Sequence, residues 1–113
     1  MFKEKVKTDE GLWEVTPKEV WQQKKHVRLI DVRRPDEYTG ELGHIEGAEL
    51  VTLETAFMEA IEKWNKNETI VFICRSGVRS AKATLIAQSK GFQEVFNMQG
   101  GMILWNELGL AKE

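Results

Sequence analysis

Six consecutive residues, Cys74-Arg75-Ser76-Gly77-Val78-Arg79, set one thiol among two guanidiniums and a run of small side chains. Cys74 is the only cysteine in the 113-residue chain. It directly follows the apolar run Ile70-Val71-Phe72-Ile73 and precedes a helix-like stretch that begins at Ser80. A free cysteine is often just a buried structural thiol, but the segment after it argues for chemistry. A loop of small polar residues can curl so that successive N–H groups form an anion nest, and the helix start adds its positive end. Both favour thiolate over thiol, and a thiolate is the nucleophile of covalent catalysis. Cys74 is therefore the expected catalytic residue. Arg75 and Arg79 can attract an anionic substrate and donate fork-shaped hydrogen bonds to it. Arg79, at the loop–helix junction, can also serve the loop's own carbonyls. Ser76, Gly77 and Val78 are expected to contribute backbone amides, with Gly77 in a conformation closed to other residues.

Asp31, Arg33 and Arg34 form a second cluster. A carboxylate at the carboxyl end of a strand could orient an arginine of the site, or it could cap the turn before Pro35. His44, in Gly43-His44-Ile45, reads as a hydrogen-bonded structural residue rather than a base. No spacing of aspartate, histidine and cysteine resembles a metal site.

These residues need a scaffold, and strand signals alternate with helix signals along the chain. Leu12 to Val15 alternates as an edge strand does. Thr16-Pro17-Lys18-Glu19 reads as a helix start, with Thr16 as cap, Pro17 at the first helical position and Glu19 closing a capping box. That helix should end near Lys25. Val27 to Val32 is a second strand, stopped by Pro35, and Pro35 to Leu42 holds a short helical turn. Gly47 to Val51 is a third strand. Leu53, Ala56, Phe57, Ala60, Ile61 and Trp64 make one apolar stripe at the helical period. Thr69 to Ile73 is apolar throughout, as suits a strand buried on both faces. A helix from Ser80 to Lys90 ends at Gly91. Glu94 to Asn97 is a fifth strand, and Gly100-Gly101 leads into a last helix ended by Gly109. This alternation predicts an α/β fold with a mainly parallel sheet and helices on both faces. Ligands bind beyond the carboxyl ends of such strands, where Cys74 and Asp31 both lie.

Composition bounds the rest. Hydrophobic residues make up 42% and charged residues 30%, which fits one folded domain over 1–113, with its core at about 12–110 and 1–11 as a flexible N-terminal segment. No apolar run is long enough to cross a bilayer, and Met1 to Lys7 carries charge without the apolar stretch of a secretory signal. The net charge of −2 with interspersed signs gives no support to nucleic-acid binding. A single free thiol suits a reducing compartment, so a cytoplasmic location is expected.

Four segments together resemble the rhodanese (sulfurtransferase) family. They are Asp31-Val32-Arg33 with Pro35, Glu37 and Tyr38; Gly43 to Ala48; Cys74 to Ser80; and Gly100-Gly101 with Trp105. The resemblance runs from about Trp13 to Leu110. It implies a three-layer fold with a five-stranded parallel sheet, a persulfide on Cys74, and the 74–79 loop as its cradle. Asp31, Arg33 and His44 match positions that mostly support the fold and the site's shape. Glu46 stands where proline is frequent and Met102 where tryptophan is frequent; both are expected to lie away from the loop and to bear on packing. Thr39 to Leu42 is longer than in the shortest members.

The reaction expected is ping-pong sulfur transfer with no cofactor beyond the cysteine persulfide. The thiolate takes the outer sulfur of an anionic donor such as thiosulfate and gives it to cyanide or a thiol, a thioredoxin-like protein among the possible acceptors. No nucleic-acid or membrane partner is expected. Phosphatase chemistry is the main enzymatic rival, but cysteine phosphatases place one residue more between cysteine and arginine than the four found here. A non-catalytic sulfur carrier or interaction module is the other alternative.

Overall fold

The computed structural model describes residues 1–113. Its architecture follows from the most apolar strand. Thr69–Ile73 (called β5) alternates its faces, sending Ile70 and Phe72 into one core and Val71 and Ile73 into another. A strand buried on both faces must sit mid-sheet with a layer of helices over each face.

The other strands are β1 (Val6–Lys7), β2 (Trp13–Val15), β3 (Arg28–Asp31), β4 (Glu49–Leu50) and β6 (Glu94–Met98). The sheet order is β1-β2-β6-β5-β3-β4, with β1 antiparallel to β2 and every other pairing parallel. The helices are α1 (Pro17–Gln23), α2 (Pro35–Tyr38), α3 (Phe57–Ile61), α4 (Val78–Ser89) and α5 (Gly101–Glu107). One core packs Val20 of α1 with Met102 and Trp105 of α5 against Val15, Leu29, Val71, Ile73, Phe96 and Met98. The other packs Phe57 and Ile61 of α3 with Ala83 and Ala87 of α4 against Ile30, Ile70, Phe72 and Val95. No helix is long and apolar enough to cross a membrane.

Four expectations are corrected. The sheet has six strands rather than five, and residues 1–11 are not a free tail. Val6 and Lys7 pair with Glu14 and Trp13, and Phe2 is buried edge-on against Phe96 at 5.2 Å. A two-residue strand with both side chains exposed carries no pattern that a sequence can announce. Glu19 explains part of the anchoring. Thr16 does cap α1, its hydroxyl accepting from the Glu19 amide at 3.2 Å. The Glu19 carboxylate, however, does not close a capping box; it accepts from the Glu4 amide at 3.0 Å and so ties down the N-terminal segment. Finally, the long apolar stripe yields a helix of only Phe57–Ile61. The preceding turn converges on one acceptor, the Thr52 carbonyl, which receives the amides of Thr55, Ala56 and Phe57.

Candidate active site

Cys74 leaves β5 at its carboxyl end, and Gly77 turns the chain into α4. Gly77 sits at φ 99°, in the left-handed region that favours glycine, directly before the helix. Its amide donates to Cys74 Sγ at 3.1 Å. From the first turn of α4, the Ser80 hydroxyl reaches the same sulfur at 3.2 Å. Cys74 is 1% exposed, so these donors act on a thiol largely removed from water. The amides of Ser76, Val78, Arg79 and Ser80 have no acceptor within the protein and remain open to a bound anion. Arg75, Ser76 and Val78 are exposed on the outer side of the loop.

The loop is held from beneath. Its carbonyls at Cys74 and Arg75 accept from the Met102 and Ile103 amides at 2.9 and 3.0 Å. The first turn of α5 thus finds partners for two of its orphan donors in the site itself. Met102 therefore does not lie away from the loop, as expected; its amide touches the Cys74 carbonyl while its side chain fills the core beside Trp105. The approach is so close that a Cβ on Gly101 would lie 2.5 Å from the Cys74 and Arg75 carbonyl oxygens.

Asp31 and Arg33 form a buried ion pair, with Arg33 Nη2 2.7 Å from Asp31 Oδ2 and Nε 2.9 Å from Oδ1. Asp31 also accepts the Arg33 amide, so it both orients an arginine and caps the turn. Arg33 in turn donates to the carbonyls of Glu37 and Gly43, fixing the 35–43 segment. That segment and Arg75 line a cleft of about 220 Å³ beside the loop, walled by Arg33, Asp36, Glu37 and Glu41. Arg34 faces solvent and pairs with Asp36. His44 stacks on Tyr38 and donates from Nδ1 to the Tyr38 carbonyl at 3.0 Å, the structural role expected of it. Tyr38 itself donates to the Ala48 carbonyl, and its burial raises the phenol above its usual range.

Arg79 differs from expectation. Both its terminal nitrogens donate to Glu37 at 2.7 Å rather than to loop carbonyls. Those hydrogen bonds hold the Glu37 carboxyl down to about 2 and push the Arg79 guanidinium up. Glu37, Ser80 and Asn97 carry no role that the sequence alone predicts. Ser80 closes the motif and Glu37 lies in the Asp36-Glu37-Tyr38 stretch, so both were visible as neighbours of the signature but not as contacts. Asn97 gave no signal. It lies beside Glu14 across the β2–β6 pairing and accepts from Ser80. No group of three or more histidine, cysteine, aspartate or glutamate side chains is placed to hold a metal ion.

The chain as a whole, rather than the site alone, is similar to known proteins. Residues 16–108 match the Rhodanese-like domain family. The chain belongs to that family. This rhodanese-like domain is 35% identical over 95 residues to the probable adenylyltransferase/sulfurtransferase MoeZ of Mycobacterium tuberculosis, covering 80% of this chain but 24% of MoeZ. It is 30% identical over 82 residues to the thiosulfate sulfurtransferase GlpE of Pseudoalteromonas translucida, covering 73% of this chain and 75% of GlpE. The crystal structure of a rhodanese-like domain protein from Staphylococcus aureus has a TM-score of 0.74 at 30% identity, covering 88% of this chain and 97% of that one. The domain thus spans about a quarter of MoeZ and three-quarters of GlpE.

Proposed function

We propose that this rhodanese-like domain is a sulfurtransferase that carries a sulfur atom on Cys74. The observation that carries the reading is a buried thiol that receives an amide and a hydroxyl donor while further loop amides stay unpaired. Those donors lower the cost of an anionic sulfur without any general base. The thiolate attacks the outer sulfur of thiosulfate; the S–S bond of the donor breaks and sulfite leaves with its electron pair. The persulfide anion sits in the nest until cyanide or a thiol attacks its terminal sulfur and restores the thiolate. Every electron pair is accounted for within donor and acceptor, so no separate cofactor enters the scheme. Arg75, exposed and without an ion-pair partner, draws in the anionic donor. Asp31 and Arg33 support the wall of the cleft. A thiol acceptor on a thioredoxin-like protein and a cytoplasmic setting complete the proposal.

Arg79 weighs against phosphatase chemistry. Its guanidinium is engaged at both terminal nitrogens by Glu37 and is not free to clamp a phosphate. The test is intact mass before and after incubation with thiosulfate, together with thiocyanate release in the presence of cyanide. One added sulfur, removed by reductant and missing in Cys74→Ser, is the expected result. No adduct, an adduct that survives in Cys74→Ser, or steady turnover of an aryl phosphate overturns the assignment. Loading without thiocyanate release would make the domain a carrier rather than an enzyme.

A further inference from the structure

Ser80 has one hydroxyl proton and two neighbours that want it. Its Oγ lies 3.2 Å from Cys74 Sγ and 2.5 Å from Asn97 Oδ1. Which face Asn97 presents is decided one residue further on. Glu14 and Asn97 are direct partners in the β2–β6 pairing. Asn97 Nδ2 donates to Glu14 Oε2 at 2.8 Å. A carboxylate only accepts, so the amide nitrogen must face Glu14 and the amide oxygen must face Ser80. Ser80 and Asn97 are buried, which leaves little water to supply a substitute donor.

We propose that Asn97 competes with Cys74 for the Ser80 proton, with Ser80 donating to Sγ in the thiolate and to Asn97 once Sγ carries a second sulfur. In the thiolate, the hydroxyl turned toward sulfur leaves the Ser80 and Asn97 oxygens facing each other without a proton between them. In the persulfide, the negative charge moves out to the terminal sulfur and the loop amides, and Sγ becomes a weak, neutral acceptor. The hydroxyl then returns to Asn97 and both oxygens are satisfied. The Glu14–Asn97 pair therefore destabilises the empty site relative to the loaded one and biases the cysteine toward holding sulfur. Ser80 touches the reacting atom; Asn97 and Glu14 are positioning residues that act through it. This inference rests on Cys74 being the sulfur-carrying thiol, but its test reads the thiol alone.

Other charges act on Cys74 from the elements packed around it. Arg75 lies in the loop, Arg79 on α4 and Glu37 on α2. Glu54 lies before α3 and bears on Arg79, and the Asp31–Arg33 pair lies at the end of β3. All are common to the variants compared. The experiment is the pH dependence of iodoacetamide alkylation, which follows the thiolate fraction. Ser80→Ala should raise the apparent titration point and cut the thiolate fraction at a fixed pH below that point about tenfold, by loss of a hydrogen bond to a charged sulfur. Asn97→Ala should move it the opposite way, and the double variant should match Ser80→Ala. Glu14→Gln, which lets the Asn97 amide turn over, should also lower the titration point, and more so with Ser80 intact than in Ser80→Ala. That difference separates the relay from simple removal of a negative charge, and it remains readable if Asn97→Ala fails to fold. Shifts of the same sign in Ser80→Ala and Asn97→Ala, additive double variants, or equal Glu14→Gln shifts in both backgrounds overturn the proposal. Failure here leaves the persulfide mass test untouched.

Discussion

Glu37 gives both carboxylate oxygens to Arg79 across 42 residues of chain. This bidentate pair joins α2 to α4, and so the cleft wall to the thiol loop. Its pH dependence has a definite sign. The carboxyl titrates at about 2 in the folded protein against 4.5 ordinarily, so its stabilisation is complete above about 4.5 and is lost as pH falls toward 2. Glu37→Gln should cost on the order of 1 kcal/mol at neutral pH, the scale of a charge-assisted hydrogen bond that is partly open to solvent. Urea unfolding should show a smaller gap between variant and wild type at pH 3 than at pH 7; a gap that does not change with pH would mean the charge of Glu37 is irrelevant. The placement of Cys74 and its loop between a strand and a helix could be read from the sequence because that pattern is local. The Ser80–Asn97 and Arg79–Glu37 contacts could not, since each depends on strand register or helix rotation that brings distant positions together.

At the scale of elements, α5 and the thiol loop complete each other's hydrogen bonds. Gly100 before the helix and Gly101 at its first position make that possible, and Gly101 is the more exacting because backbone atoms of Cys74 and Arg75 occupy the place of its Cβ. Gly101→Ala should cost about 2 kcal/mol or more and should lower the rate of persulfide formation, since the loop carbonyls must move. Gly109→Ala is the matched comparison: φ is also positive, at 71°, but nothing lies within 4 Å. It should cost about 1 kcal/mol, the conformational penalty alone, with sulfur loading unaffected. Thermal unfolding and loading kinetics on the pair decide the matter; equal effects would show that the close approach has no consequence for the site. Periodicity foretold the existence and order of the helices and the parallel strands. It failed at α3, where six apolar positions in helical phase promised more helix than the Thr52-centred turn allows.

Across the whole molecule, the sheet divides two cores, and the thiol stands at the sheet's carboxyl edge where both meet the loop. The N-terminal segment closes one core from the side. Phe2→Ala should destabilise the protein by about 3 kcal/mol, from lost burial against Phe96 and the space left behind, and denaturant midpoints would show it. An unchanged midpoint would mean that residues 1–7 are dispensable. That closure was not legible beforehand, because a terminal phenylalanine among charged residues has no period to betray where it packs. The buried Asp31–Arg33 pair shows how differently parts of this architecture would respond to selection. Buried ion pairs are often replaced by well-packed apolar side chains with no loss, or with a gain, in stability. A library sorted only for heat resistance would therefore be free to discard this pair. Arg33 also holds the Glu37 and Gly43 carbonyls that shape the cleft, so the survivors of such a sort would keep their melting point and lose the wall beside the thiol.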